Sequence, residues 1–181
     1  MEFINRNPSI YVLSGKAGSG KSFIADKMKC VLEFRGLKCI SIAYASYLKN
    51  YIMNITDWDG SEERKPREFL QELGVDLIKN RINSSMLIDR IVDDISVYSY
   101  FFDVIIVSDA RFIDEIEVIR DKFSRVCVIN VVGGSNNLSD REKSHITETA
   151  LDNYNDYDFV IYNDDFLDDN VLDEQIEEVL R

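Results

Sequence analysis

The eight residues Gly15-Lys16-Ala17-Gly18-Ser19-Gly20-Lys21-Ser22 constrain this chain more than any other stretch. They fit G-x-x-x-x-G-K-[ST] without a mismatch. They follow a β-branched apolar run, Ile10 to Leu13, and precede apolar positions at helical spacing: Phe23, Ile24, Met28, Val31 and Leu32. Glycine admits backbone angles closed to other residues, so several N–H groups can turn toward one point. The start of the helix adds partial positive charge there. Lys21 brings an ammonium to the β- and γ-phosphates of a bound nucleotide, and the Ser22 hydroxyl can ligate Mg²⁺. The expected contact set is Gly15, Lys16, Ala17, Gly18, Ser19, Gly20, Lys21, Ser22 and, just inside the helix, Phe23.

A strand, loop and helix of this kind need a sheet around them. Further strands are expected at 38–43, 103–108, 126–132 and 159–162, and helices at 44–52, 67–81, 112–123, 145–151 and 166–180. Another helix is expected after Ser84 or Ser85, either of which can cap it. Gly36 suits the left-handed end of the first helix. Residues 54–66 and 133–143 read as polar loops, and the aromatics of 98–102 as core. Strands alternating with helices predict an α/β three-layer fold with a five-stranded parallel sheet and a ligand at the carboxyl ends of the strands. The 181 residues form one expected domain, with a helical insertion at 44–99 and a lid loop at 133–145.

Charge and composition narrow the function. The net charge is −12, and residues 151–181 hold 11 acidic residues and one basic residue. That balance disfavours broad binding to duplex nucleic acid, which needs a basic face. The acidic end reads as a solvated helix face, with a basic partner as the alternative. No apolar run approaches the ~18 residues of a membrane span, and residues 1–9 lack the apolar core of a secretory signal. Three scattered cysteines and one histidine point to reduced thiols in a cytoplasmic protein, without a zinc site.

Asp109 ends the apolar run at 104–108 and is the expected carboxylate beside Mg²⁺; it also suits a helix cap for 112–123. Arg111 can clamp a substrate phosphate, or pair with Glu115 along a helix. Arg67 and Gln71 lie one helical turn apart and can face one ligand or solvent. Lys49 has the same two readings. Arg141 and Lys143 can swing over a transferring phosphoryl group from the lid, or simply solvate it. His145 caps or packs its short helix. No N-K-x-D is present to read guanine, and Asp57-Trp58-Asp59-Gly60 imitates D-x-x-G without an apolar strand before it.

In order along the chain stand Gly15 to Ser22, Tyr47-Leu48-Lys49, Arg67-Glu68-Phe69-Leu70-Gln71-Glu72-Leu73-Gly74, Asp109-Ala110-Arg111-Phe112-Ile113-Asp114-Glu115, His145-Ile146-Thr147-Glu148, and Asp158-Phe159-Val160-Ile161-Tyr162-Asn163-Asp164. This series resembles the phage-type deoxynucleoside monophosphate kinase family over nearly the whole chain. The specific blocks are R-x-x-L-Q-x-L-G and D-x-R-F. The family usually has D-V-R-F-P-N-E, and here Ala110, Ile113 and Asp114 stand in place of V, P and N. The resemblance implies ATP- and Mg²⁺-dependent phosphorylation of a deoxynucleoside 5′-monophosphate to the diphosphate. It implies Lys21, Asp109, Arg111 and Arg141 in catalysis, and Lys49, Arg67, Gln71 and Arg111 along the acceptor. Asn163 resembles the adenine-side Asn of this group and of dephospho-CoA kinases. Two other readings stay open: a kinase of dephospho-CoA or another phosphorylated metabolite, and a nucleotide-binding regulator without turnover. The oligomeric state is open as well, a homodimer included.

Overall fold

The computed structural model describes residues 2–134, 143–163 and 169–181. Five strands form one parallel sheet in the order β2-β3-β1-β4-β5. They are β1 (Ser9–Ser14), β2 (Cys39–Ile42), β3 (Val104–Ala110), β4 (Val126–Gly133) and β5 (Phe159–Asn163). The inner strands read as unbroken apolar runs because helices cover both faces. Side chains alternate between two cores. Leu13, Val104, Ile106, Ile129 and Val131 pack under α1 (Lys21–Phe34) and the last helix, α7 (Asp169–Val179). Ile10, Val12, Ile105, Val107 and Val128 pack on the other face, under α4 (Met86–Tyr98) and α5 (Ile113–Lys122). The apolar stripes Ile24-Ala25-Met28-Leu32 and Ile88-Ile91-Val92-Ile95 are the faces these helices bury.

Between β2 and β3 the chain makes the expected helical insertion. It holds α2 (Tyr44–Ile55), a loop, and α3 (Arg67–Gln71), which runs on as a π-helix, Glu72–Ile82. A separate small core of Ile52, Trp58, Leu70, Leu73 and Ile78 supports it. Gly74 lets α2 approach closely: a Cβ there would lie 2.9 Å from Leu48 Cδ1, so the Leu48 side chain would have to shift to admit one.

Several boundaries depart from the sequence reading. The helix expected at 44–52 runs on to Ile55, so the loop begins at 56. The stripe expected at 67–81 included Phe69 and Leu77, which are 37% and 42% exposed, while Val75 is buried instead. Beyond Gln71 the wide π turns close i to i+5, as in the bond from Asn83 N to Ile78 O (2.9 Å), and rotate the buried face at Val75 and Leu77 away from an α-helical register. Ser85 stands at the start of α4, yet its hydroxyl donates to Asp89 (2.6 Å) rather than capping the helix, while its amide donates to Asn83 Oδ1 (3.0 Å). Of the aromatics at 98–102, Tyr100 and Phe101 are exposed rather than core. The helix expected at 145–151 is the single turn α6 (Ile146–Thr149). Most of the lid loop, with Arg141, lies outside the described residues.

Candidate active site

The loop after β1 bends because three glycines let it. Gly15, Gly18 and Gly20 have φ of 140°, 78° and 88°. A Cβ on Gly15 would lie 2.3 Å from the Val131 carbonyl oxygen, so β4 presses directly on the loop. A Cβ on Gly20 would meet the Asn163 amide nitrogen at 2.1 Å. That nitrogen donates to the Ser19 carbonyl (3.0 Å), which ties the end of β5 to the loop. Gly134, at φ 70°, sits on the far side, where a Cβ would lie 2.1 Å from the Gly18 carbonyl oxygen. The loop is thus set by contacts that only hydrogen in place of a side chain allows.

Lys21 is buried, and its ammonium donates to the carbonyls of Gly15 (2.8 Å) and Lys16 (2.7 Å). Burial, then the nearby Arg111 guanidinium, lower its pKa to about 7, against the opposing pull of Asp109 and Glu148. The Lys16 side chain points outward to Asp152 (2.9 Å).

Asp109 lies within the last turn of β3. It does not cap the helix at 112–123, one of its two sequence readings. Its carboxylate instead accepts from the first two amides of α2, Tyr44 N (2.8 Å) and Ala45 N (2.9 Å). An anion at that position also complements the positive end of α2. The cap of α5 is Glu115, which accepts from Arg111 N (2.6 Å) and Phe112 N (3.1 Å). Burial pushes the Glu115 carboxyl up to about 8, against those two bonds. The Arg111 guanidinium therefore does not pair with Glu115; it reaches Glu148 on α6 at 2.8 Å. The second Glu148 oxygen accepts from Ala17 N at 2.7 Å.

A cavity of about 600 Å³ joins these groups to the helical insertion. The phosphate loop and the start of α1 line it with Ala17, Gly18, Gly20, Lys21, Ser22 and Phe23. Asp109, Arg111 and Glu148 line it too, and the helical insertion contributes Lys49, Lys65, Arg67 and Gln71. The sequence reading had given a site role to all of these except Lys65 and Glu148, and had quoted Glu148 only within the block His145-Ile146-Thr147-Glu148. Glu62 gathers three of the cations, at 2.9 Å from Lys65, 3.5 Å from Lys49 and 4.0 Å from Arg67. Gln71 donates to Thr147 Oγ1 at 3.3 Å, so it faces α6 as well as the cavity. Apolar walls come from Leu48, Leu70, Val75, Leu87 and Ile88. Asp114, one of the departures from the family pattern, holds Lys79 (2.9 Å) over the ring of Phe112, 3.8 Å from its centroid. A lysine in that place neutralises part of the acidic strand edge and gains a cation–π contact.

Residues 9–175 match the family model of the deoxynucleotide monophosphate kinases. The chain belongs to that family. Its fold is that of P-loop kinases. A shikimate kinase from Bacteroides thetaiotaomicron is similar with a TM-score of 0.50 and 13% identity, over 94% of this chain and 95% of that one. A gluconokinase from Sinorhizobium meliloti 1021 is similar with a TM-score of 0.53 and 14% identity, over 97% and 94%. No curated protein matches the sequence. At such identities the two structures speak for the fold, while the family match speaks for nucleotide monophosphate kinase chemistry. Among the described residues, no helix is long and apolar enough to cross a membrane.

Proposed function

We propose that this member of the family transfers the γ-phosphoryl group of Mg²⁺-ATP to a deoxynucleoside 5′-monophosphate. The observation that carries the reading is the shared cavity: it is lined both by the phosphate loop and by three cations of the insertion, Lys49, Lys65 and Arg67, that converge on Glu62. Two anionic substrates meeting head-on need that distribution of charge. The insertion at 44–99 acts as the acceptor-binding region, and 133–145 as the lid. Leu48, Leu70, Val75 and Ile88 give the acceptor base an apolar wall.

Lys21 neutralises charge on the β- and γ-phosphates, and Arg111, held beside the loop through Glu148 and lining the cavity, acts on the transferring group. Lys49 and Arg67 hold the acceptor phosphate with help from Lys65, and Gln71 reads an edge of the base through its amide. Asn163 supports the adenine side by fixing Ser19. Ser22 and Asp109 fit Mg²⁺: a hydroxyl and a single carboxylate lining the same cavity leave most positions for phosphate oxygens and water, as this ion prefers. When held there by Ser22 and Asp109, Mg²⁺ would supply positive charge to offset that of the phosphates. No general base is needed, because the attacking phosphate oxygen is already anionic. Arg141, outside the described residues, is assigned to the lid by the resemblance alone.

The test is ADP release measured over a panel of acceptors: the deoxynucleoside monophosphates, their ribose counterparts, dephospho-CoA and shikimate. Turnover with one or more deoxynucleoside monophosphates supports the reading. Turnover with dephospho-CoA alone, or tight ATP binding without ADP formation for any acceptor, would falsify it.

A further inference from the structure

The block His145-Ile146-Thr147-Glu148 has no role in the reading above, yet it places a buried carboxylate on the phosphate loop. Only 5% of the Glu148 side chain is exposed. Its two oxygens face different clients, Arg111 Nη1 at 2.8 Å and Ala17 N at 2.7 Å. The turn that aims it is fixed on three sides. Glu148 N donates to the His145 carbonyl (2.9 Å), and Thr147 N to His145 Nδ1 (3.3 Å). Gln71 ties Thr147 to α3 (3.3 Å), and Asp152 ties the following residues to Lys16 (2.9 Å). The carboxylate is therefore aimed at the loop by the tertiary structure.

A backbone amide in a phosphate nest is a donor suited to any compact anion. Carboxylate and phosphate oxygens compete for it, because two anions cannot share one N–H at hydrogen-bond distance without strong repulsion. We infer that Glu148 is an internal stand-in for phosphate: its carboxylate and a substrate phosphate are alternative occupants of the Ala17 amide. Arg111 is bound to the same carboxylate, so displacing Glu148 from Ala17 also loosens Arg111 toward the transferring group. The exchange at Ala17 stands on geometry alone; the release of Arg111 rests on the kinase reading above. Glu148 is thus a positioning residue, acting on substrate through Arg111 and the loop.

The experiment is equilibrium titration with inorganic tripolyphosphate, which occupies a phosphate nest without a base or an acceptor. Glu148→Gln keeps the shape and removes the charge. Binding is expected to tighten by about fivefold or more, the lower range for coupled sites. Glu148→Asp keeps the charge, but one methylene less cannot span Arg111 and Ala17 together, so it too should bind more tightly than wild type. In acceptor turnover Glu148→Gln should lower KM for ATP and kcat together, since Arg111 loses its guide. A purely structural loss would raise KM and lower the unfolding temperature instead. Unchanged or weaker tripolyphosphate binding in the folded variants overturns the inference. Tighter binding in the variants, with a wild-type chain that phosphorylates no acceptor, supports the exchange and removes the kinase reading instead.

Discussion

Around the cavity the phosphate loop presents main-chain amides, while the helical insertion presents long charged side chains. Gly15, Gly20 and Gly134 are pinned by backbone or by Asn163 so closely that no Cβ fits. The insertion carries Lys49, Lys65 and Arg67, long side chains around one exposed glutamate, on a small core of their own. A nest of amides recognises what every triphosphate shares. Side chains on a separately packed insertion can be replaced one by one without disturbing the sheet, so the insertion is where substrate choice can vary.

The largest effect is expected at Lys21. Lys21→Ala should lower kcat by about 10²–10³-fold, as loss of a preorganised charge does, with little change in the thermal unfolding midpoint. A coupled ADP-release assay beside a melting curve checks both. Next comes Trp58, 9% exposed, whose indole N–H donates to the Ser61 carbonyl at 3.0 Å. Trp58→Ala removes the largest side chain of the small core and should cost about 3 kcal/mol. If the two regions are built separately, hydrogen exchange should rise across residues 44–82 while tripolyphosphate binding survives; uniform loss of protection would show one cooperative unit.

Gly15→Ala should destabilise the loop by about 1–3 kcal/mol, the scale of a forced backbone conformation, and abolish nucleotide binding in calorimetry. Lys65→Ala is the milder counterpart on the insertion. It should raise KM for the acceptor about tenfold, equivalent to about 1.4 kcal/mol, and leave KM for ATP within about twofold, the reach of a removed but non-contacting charge. Equal change in both constants would mean that Lys65 serves the fold and not the acceptor.

The smallest effect concerns protons. With its pKa lowered to about 7, Lys21 is largely neutral at pH 8 before a polyphosphate arrives. Phosphate charge favours the ammonium, so binding should take up close to one proton at pH 8, and affinity should fall as pH rises above about 7. Titration calorimetry in buffers of different ionisation enthalpy reads this directly. Lys21→Arg, whose guanidinium stays charged, should remove the uptake.

The phosphate loop and its strand were legible because their constraints are local. A loop that must turn amides inward needs glycines at set positions, and a strand covered on both faces needs β-branched residues in a row. The rest depends on partners far along the chain. Asp109 meets amides of Tyr44 and Ala45, and Glu148 meets Arg111 and Ala17, pairs that no spacing rule connects. The stripe of α3 misled for another reason. Phe69, Leu70, Leu73, Leu77 and Ile78 fit an α-helical period, but the π turns after Gln71 carry Leu77 outward and Val75 inward. Lys65 sat unnoticed beside Pro66 in a polar loop, where a lone lysine carries no periodic signal.

The bonds from Tyr44 and Ala45 to Asp109 have a mechanical consequence. They nail the root of α2 to the tip of β3, at 2.8 and 2.9 Å. A swing of the insertion over its substrate cannot hinge there without tearing a charged clasp. Any such swing would have to bend beyond Ala45 on the way in and near Asn83, where the π-helix ends, on the way out. The root of α2 would then keep its place against the tip of β3 while only the outer part of the insertion moved.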